Sequence, residues 1–213
     1  MKKFAMSIPL AAVILAGCQK MPSVVDADGE LLVSTSYDQE ADFSKYTTFT
    51  VADSIFVLDS YMGDMVKNSC TDGLLDECKT MMESLGYTFV DIDNKADADL
   101  GIQLTYVYDT DYYVSYADPY WWLDYPGYWS TSYWGMWGGW YYPYPVTYEF
   151  SSHSLMADMA DLTTAEGEDS DLPVVWNCMI NGSTGSSRSD FARLKTGIRQ
   201  AFGQSPYLSK VSE

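Results

Sequence analysis

His153 is the one histidine of the chain, so any Ser-His-Asp or Cys-His relay would have to be built on it. Ser152, Ser154 and Asp158 lie beside it, but a relay needs side chains converging from different elements, whereas neighbours on a strand alternate between its faces. A hydrogen-bonded histidine at a strand end is the expected role. Asp91, Asp93, Asn94, Asp97 and Asp99 have the density of a calcium loop. In EF-hand register, however, Ala96 stands where the turn glycine belongs and Ile102 where the bidentate acid belongs, and the motif fails. Glu166, Glu168, Asp169 and Asp171 read as a solvated turn, and nothing selects a carboxylate pair for glycoside hydrolysis. Zinc-ligand spacings and phosphate-cradling glycine loops are absent from the sequence. No enzyme, cofactor or metal is implied.

Cys18 carries a different chemistry. Lys2 and Lys3 make a basic start, Phe4 to Leu15 form a short apolar run, and Leu15-Ala16-Gly17 lead directly into Cys18. This is a secretory signal, too short to span a bilayer. A cysteine directly after Leu-Ala-Gly is expected to be the lipid-modified first residue of the mature chain. Each buried methylene of an acyl chain contributes about 0.8 kcal/mol, and two chains suffice for stable attachment to a membrane. Gln19, rather than Asp, follows Cys18, which points to the outer membrane of the bacterial envelope. The anchor is thus the expected membrane partner.

Residues 1–17 are therefore read as a signal peptide and 18–31 as a lipidated tether, polar and acidic. Fully extended, its dozen residues from Gln19 to Glu30 reach roughly 40 Å. The rest, residues 32–207, suits a single domain with a sizeable core. Loss of Lys2 and Lys3 takes the formal charge from −18 to about −20. Phosphate backbones repel such a body, so nucleic acid is excluded as a partner.

Cys70, Cys78 and Cys178 remain, and three thiols leave at least one unpaired in a monomer. On one helix, Cys70 and Cys78 are about 12 Å apart at roughly 1.5 Å per residue, beyond the ~7 Å that a disulfide bridges. Two readings stay open: a bridge from either to Cys178, or three small buried hydrophobes.

Periodicity places strands at Leu31–Tyr37, Tyr46–Val51 (continued by Ile55–Leu58), Asp99–Tyr108, Pro145–Phe150, Ser154–Leu162 and Pro173–Ile180. In the last, Val174, Trp176, Cys178 and Ile180 are expected to share one face. Leu74, Leu75, Cys78, Met81, Met82 and Leu85 recur at helical steps, predicting a helix over 69–85 stopped by Gly86. A second helix is expected over 188–203, capped by Ser187 with Asp190, with Phe191, Leu194, Ile198 and Phe202 buried. Arg188, Arg193, Lys195 and Arg199 fall on its solvated side. The fold class expected is α+β: a mixed, mostly antiparallel sheet of about five strands with two helices packed on one face.

Six of the seven tryptophans crowd an insertion at about 109–145, interleaved with tyrosine, glycine and proline. Tyr120, Trp121, Trp122, Trp129, Trp134, Trp137, Trp140, Tyr141 and Tyr142 are its candidate binding residues, since Tyr and Trp suit half-wet surfaces. No lysine or arginine accompanies them, so a single-stranded nucleic-acid platform lacks its electrostatic half. Four readings remain: rings packing on one another and on the sheet, a partner-protein surface, stacking on envelope glycan, or rest at a membrane interface.

Tyr37-Asp38, the run Asp42-Phe43-Ser44-Lys45-Tyr46-Thr47-Thr48-Phe49, Leu85-Gly86-Tyr87, Ala98-Asp99-Leu100, Leu155-x-x-Asp158-x-x-Asp161 and Val175-Trp176 occur in that order, before a last helix running to Phe202 and Pro206. This resembles the bacterial lipoproteins bearing domain of unknown function 4136, over about residues 32–207. The family pattern often follows the tryptophan with Arg-Gly, where Asn177-Cys178 stand here. The resemblance implies an envelope lipoprotein with a small α/β domain, a Tyr/Gly/Trp-rich middle insertion and no assigned activity. The expected function is that of a lipid-anchored, non-catalytic envelope protein offering its aromatic surface to a protein or envelope polymer. The alternatives are an envelope glycan or peptide hydrolase using acidic residues, and a self-associating structural lipoprotein.

Overall fold

A computed structural model describes residues 31–58, 63–107, 139–144, 153–164, 171–182 and 188–211. The strands are β1 (Leu32–Tyr37), β2 (Thr48–Val51), β3 (Ile55–Leu58), β4 (Gly63–Val66), β5 (Thr88–Phe89), β6 (Leu100–Val107), β7 (Gly139–Tyr141), β8 (Ser154–Asp161) and β9 (Asp171–Asn181). Two helices, α1 (Ser69–Ser84) and α2 (Arg188–Gly203), complete the described elements apart from short 3-10 turns.

Eight of the strands join one open, mixed sheet, and β7 adds a separate parallel ladder to the start of β9. The central path runs β1-β9-β8-β6-β2-β5, with the β3–β4 hairpin set on β6 beyond β2. The long ladders β1–β9, β9–β8 and β8–β6 are antiparallel. Parallel pairing is confined to short contacts of β2 and β3 with β6, β2 with β5, and β7 with β9.

The mixed, mostly antiparallel sheet matches expectation, whereas the expected strand number of about five does not. The added strands β4, β5 and β7 are two to four residues long. So short a segment shows no alternation; pairing with a longer neighbour is what makes it a strand. The expected strand Pro145–Phe150 lies outside the described residues, as does Ser187.

Helix α1 starts where Asn68 accepts from the amides of Cys70 and Thr71 while Thr71 Oγ1 accepts from the Asn68 amide, a reciprocal cap. It ends before Gly86, whose φ of +96° is costly for any residue with a Cβ. Its buried side carries Leu74, Leu75, Cys78 and Met82. Leu194, Ile198, Ala201 and Phe202 do the same for α2, and both helices share one core with Phe49, Leu100, Ile102, Leu104, Leu155, Ala157 and Trp176 of the sheet. Arg199 is not merely solvated: it grips Glu77 of α1 with two bonds of 2.7 and 2.8 Å, tying the helices together.

All residues of β6 and β8 are buried, so both faces of the sheet centre are covered. The face opposite the helices holds Phe56, Val107, Met156, Ala160, Leu172, Val174 and Met179. Val174 therefore does not share a face with Trp176, Cys178 and Ile180. Met159 pairs with Trp176 but Ala160 with Val174, which leaves Val175 as an extra residue in β9. This bulge reverses the alternation below it, a shift that counting by twos cannot see.

Candidate functional site

Of the residues singled out by their chemistry, Cys18, Tyr120, Trp121, Trp122, Trp129, Trp134 and Trp137 lie outside the described residues. Trp140 belongs to β7 through its backbone. Tyr141, the next residue, is 45 % exposed. Tyr142 is buried and packs on the sheet with Val107, Met156 and Leu172, so it does not belong to an exposed surface.

What Tyr142 meets there is a polar row built across three strands. Pairing sets Gln103 of β6 opposite Asp158 of β8, and Asp158 opposite Asn177 of β9. All three are buried, with Asp158 at 0 % exposure. Burying a carboxylate costs several kcal/mol unless donors replace its water. Two donors converge on Asp158 Oδ1: the Tyr142 hydroxyl at 2.6 Å and Asn177 Nδ2 at 2.6 Å. Gln103 turns its amide to the Leu104 carbonyl at 2.8 Å. At one end of the strands, Ser154 Oγ donates to Asn181 Oδ1.

Tyr144 lies edge-on to Tyr142, with ring centroids 5.9 Å apart. Burial and then the negative charge of Asp158 push its hydroxyl well above the ordinary tyrosine pKa, so it stays protonated. Its oxygen and that of Thr105 are buried without a hydrogen-bond partner. The row is thus an acceptor set in a sheet face and engaged by the end of the aromatic segment. One signal marks it in the sequence: Asp158 is the acid in the middle of the otherwise apolar run Leu155 to Ala160. Nothing local pairs it with Tyr142.

The motif residues form a second set of bonds at the opposite end of β8. Asp42 caps a turn by accepting from the Ser44 amide and hydroxyl, Phe43 is buried, and the Tyr46 hydroxyl donates to Asp161 at 2.9 Å. Asp99 Oδ2 accepts from the Thr47 amide, the Thr47 hydroxyl and the Thr48 amide at 2.6, 2.9 and 3.0 Å. Partial burial raises the Asp99 pKa, and these bonds outweigh it, leaving the carboxyl below its usual range. Trp176 is fully buried, stacks on Phe202 at 5.0 Å and donates from Nε1 to Ser205 Oγ at 2.9 Å. Asp42 caps its own turn, and Tyr46, Asp99, Asp161 and Trp176 each hold one element to another, which is a structural use.

His153 precedes β8 with φ of +65°, a region histidine tolerates better than most residues. Its Nδ1 lies 2.9 Å from the Tyr106 hydroxyl, as expected of a hydrogen-bonded strand-end histidine. Cys70, Cys78 and Cys178 are free thiols. Burial pushes the Cys78 and Cys178 thiols far up, which makes them apolar filling and not nucleophiles.

Fold and motifs together define an α+β domain in which Tyr46, Asp99, Asp161 and Trp176 fasten one part to another. Residues 33–207 match the family described as Domain of unknown function (DUF4136), and the chain belongs to that family. A solved DUF4136 family protein from Bacteroides thetaiotaomicron VPI-5482 is 41 % identical, with 86 % of this chain and 99 % of that one covered and a TM-score of 0.72. A PelC dodecamer from Paraburkholderia phytofirmans is 11 % identical over 85 % of this chain and 99 % of that one, at a TM-score of 0.37. A PDZ domain protein from Parabacteroides distasonis ATCC 8503 is 15 % identical over 84 % of this chain and 36 % of that one, at a TM-score of 0.39. No curated protein matches the chain.

Proposed function

We propose that the protein is a lipid-anchored, non-catalytic lipoprotein of the bacterial outer membrane that offers the aromatic segment of residues 109–145 to a protein or envelope-polymer partner. The observation that carries this reading is compositional: six of seven tryptophans and a crowd of tyrosines occupy one stretch without a single lysine or arginine. Such rings bind by stacking and by single polar handles, which fits sugar rings and apolar protein patches. Tyr141, nearly half exposed where the segment rejoins the sheet, is consistent with this use. The buried acids support the non-catalytic part, because Asp158 and Asp161 each accept from a tyrosine hydroxyl in the interior.

The anchor and the surface are tested separately. Palmitate labelling should follow Cys18 and vanish in Cys18→Ser, which should leave the membrane fraction. Replacing Trp121, Trp122, Trp134 and Trp137 by serine should abolish retention on cell-wall glycan and on envelope proteins while the far-ultraviolet spectrum is kept. Unchanged retention on both would remove the binding reading.

A further inference from the structure

We infer that Asp158 is a positioning residue: a carboxylate buried in the sheet that fastens the end of the aromatic segment, through Tyr142, in one orientation. Three observations carry it. First, β7 is held by a parallel ladder of three residue pairs to Asp171, Leu172 and Pro173. So short a ladder is marginal alone, and proline at one of its positions removes a donor. Second, the residue directly after β7 is Tyr142, whose hydroxyl reaches Asp158 at 2.6 Å on the face away from the helices. Third, Asn177 donates to the same Oδ1 at 2.6 Å from the neighbouring strand, so the acceptor is held from a second side, independently of the tyrosine.

An apolar residue at 158 would fill this face between Met156 and Ala160 without the cost of a buried charge. What the carboxylate adds is direction. A hydrophobic ring can settle on a sheet in several registers, whereas a bond from a phenol to one fixed oxygen selects a single register. Tyr141 is 45 % exposed while Tyr142, the next residue, is buried, so the bond to Asp158 holds one side of the segment's end against the sheet. The fastening stands on its own; its importance for a partner rests on the function proposed above.

Hydrogen exchange of the intact chain, read by mass spectrometry over residues 139–144, tests the inference. Tyr142→Phe keeps the ring and removes the bond, and should speed exchange there by about tenfold or more. Exchange in the β6–β8 ladder should be unchanged. Tyr46→Phe removes a similar buried bond to Asp161, and should leave residues 139–144 as protected as in the parent. Asp158→Asn keeps an acceptor and should fall between the parent and Tyr142→Phe. Equal protection in Tyr142→Phe and the parent, or equal loss in Tyr46→Phe, overturns the inference. Loss of protection with unchanged retention on glycan and envelope proteins upholds the fastening and removes only its importance for the partner.

Discussion

The Tyr46 hydroxyl and the Asp161 carboxylate, 115 residues apart in sequence, meet at 2.9 Å in the interior. Both residues are buried, and Asp161 Oδ1 also accepts from the Thr163 amide and hydroxyl at 2.8 and 2.6 Å. The bond joins the turn before β2 to the end of β8, on either side of β6. Tyr46→Phe leaves one oxygen of a buried carboxylate short of a donor, and should cost about 1.5–3 kcal/mol. Urea unfolding should show a lower midpoint at an unchanged slope. A midpoint within error of the parent would mean that water takes the place of the phenol at no cost.

Gly197 shows two opposed effects whose sizes decide the sign. Alanine in a helix interior is favoured over glycine by about 1 kcal/mol. A Cβ at Gly197, however, would stand 2.5 Å from Cγ2 of Ile180, a fully buried β-branched side chain of β9 with little freedom to turn away. Overpacking typically costs about 1–3 kcal/mol, so Gly197→Ala should be net destabilising by up to about 2 kcal/mol. Gly203 has open space around its Cβ position and serves as the control. A higher melting temperature for Gly197→Ala than for the parent would show that α2 shifts on the sheet freely.

The long elements were legible because their periods were long enough to count. The helix expected over 188–203 is found there, and Leu194, Ile198 and Phe202 are buried as a stripe. The alternation of β6 is equally plain: Leu100, Ile102, Leu104 and Tyr106 all face the helices. Counting by twos places Val174 on the wrong face because a single extra residue, Val175, resets the alternation, and nothing in the residue type announces it. Sequence groups Tyr142 with its aromatic neighbours for a related reason. Composition ranks a tyrosine by its company, but its burial is decided by Asp158, sixteen positions away in sequence and brought close by strand pairing. Likewise the sequence does not show what Asp99 and Asp161 do, because their donors Thr47, Thr48 and Tyr46 lie about 50 to 115 positions away and meet them only in the fold.

Thiol chemistry should divide the cysteines by depth. Cys70 is half-buried in the first turn of α1, whereas Cys78 and Cys178 are buried in the core with their thiols held protonated by desolvation. A chain beginning at Gln19, free of Cys18, should react with a thiol reagent at Cys70 within minutes. Cys78 and Cys178 should react only at the rate of opening, and at once in denaturant. Rapid labelling of Cys178 in the folded chain would contradict a closed interface between α1 and β9.

The alkaline limb of stability should be set by phenols held in the interior. Burial raises Tyr87 from 10.0 to about 12, and its hydroxyl has no hydrogen-bond partner. Burial raises Tyr46 and Tyr144 further, each helped by a nearby aspartate. In the unfolded chain these groups lose their protons near pH 10, while the folded chain still holds them. Above that pH the folded state therefore binds more protons than the unfolded state, and stability falls as pH rises. The contribution is complete below pH 10 and, for Tyr87, is lost as pH climbs through about 12. Tyr87→Phe removes an unpaired buried hydroxyl together with its titration, so it should be neutral or stabilising at pH 7 and should flatten the decline between pH 10 and 12. Melting curves across that range decide it: an unchanged slope in Tyr87→Phe would show that its phenol ionises equally in both states and would overturn this prediction.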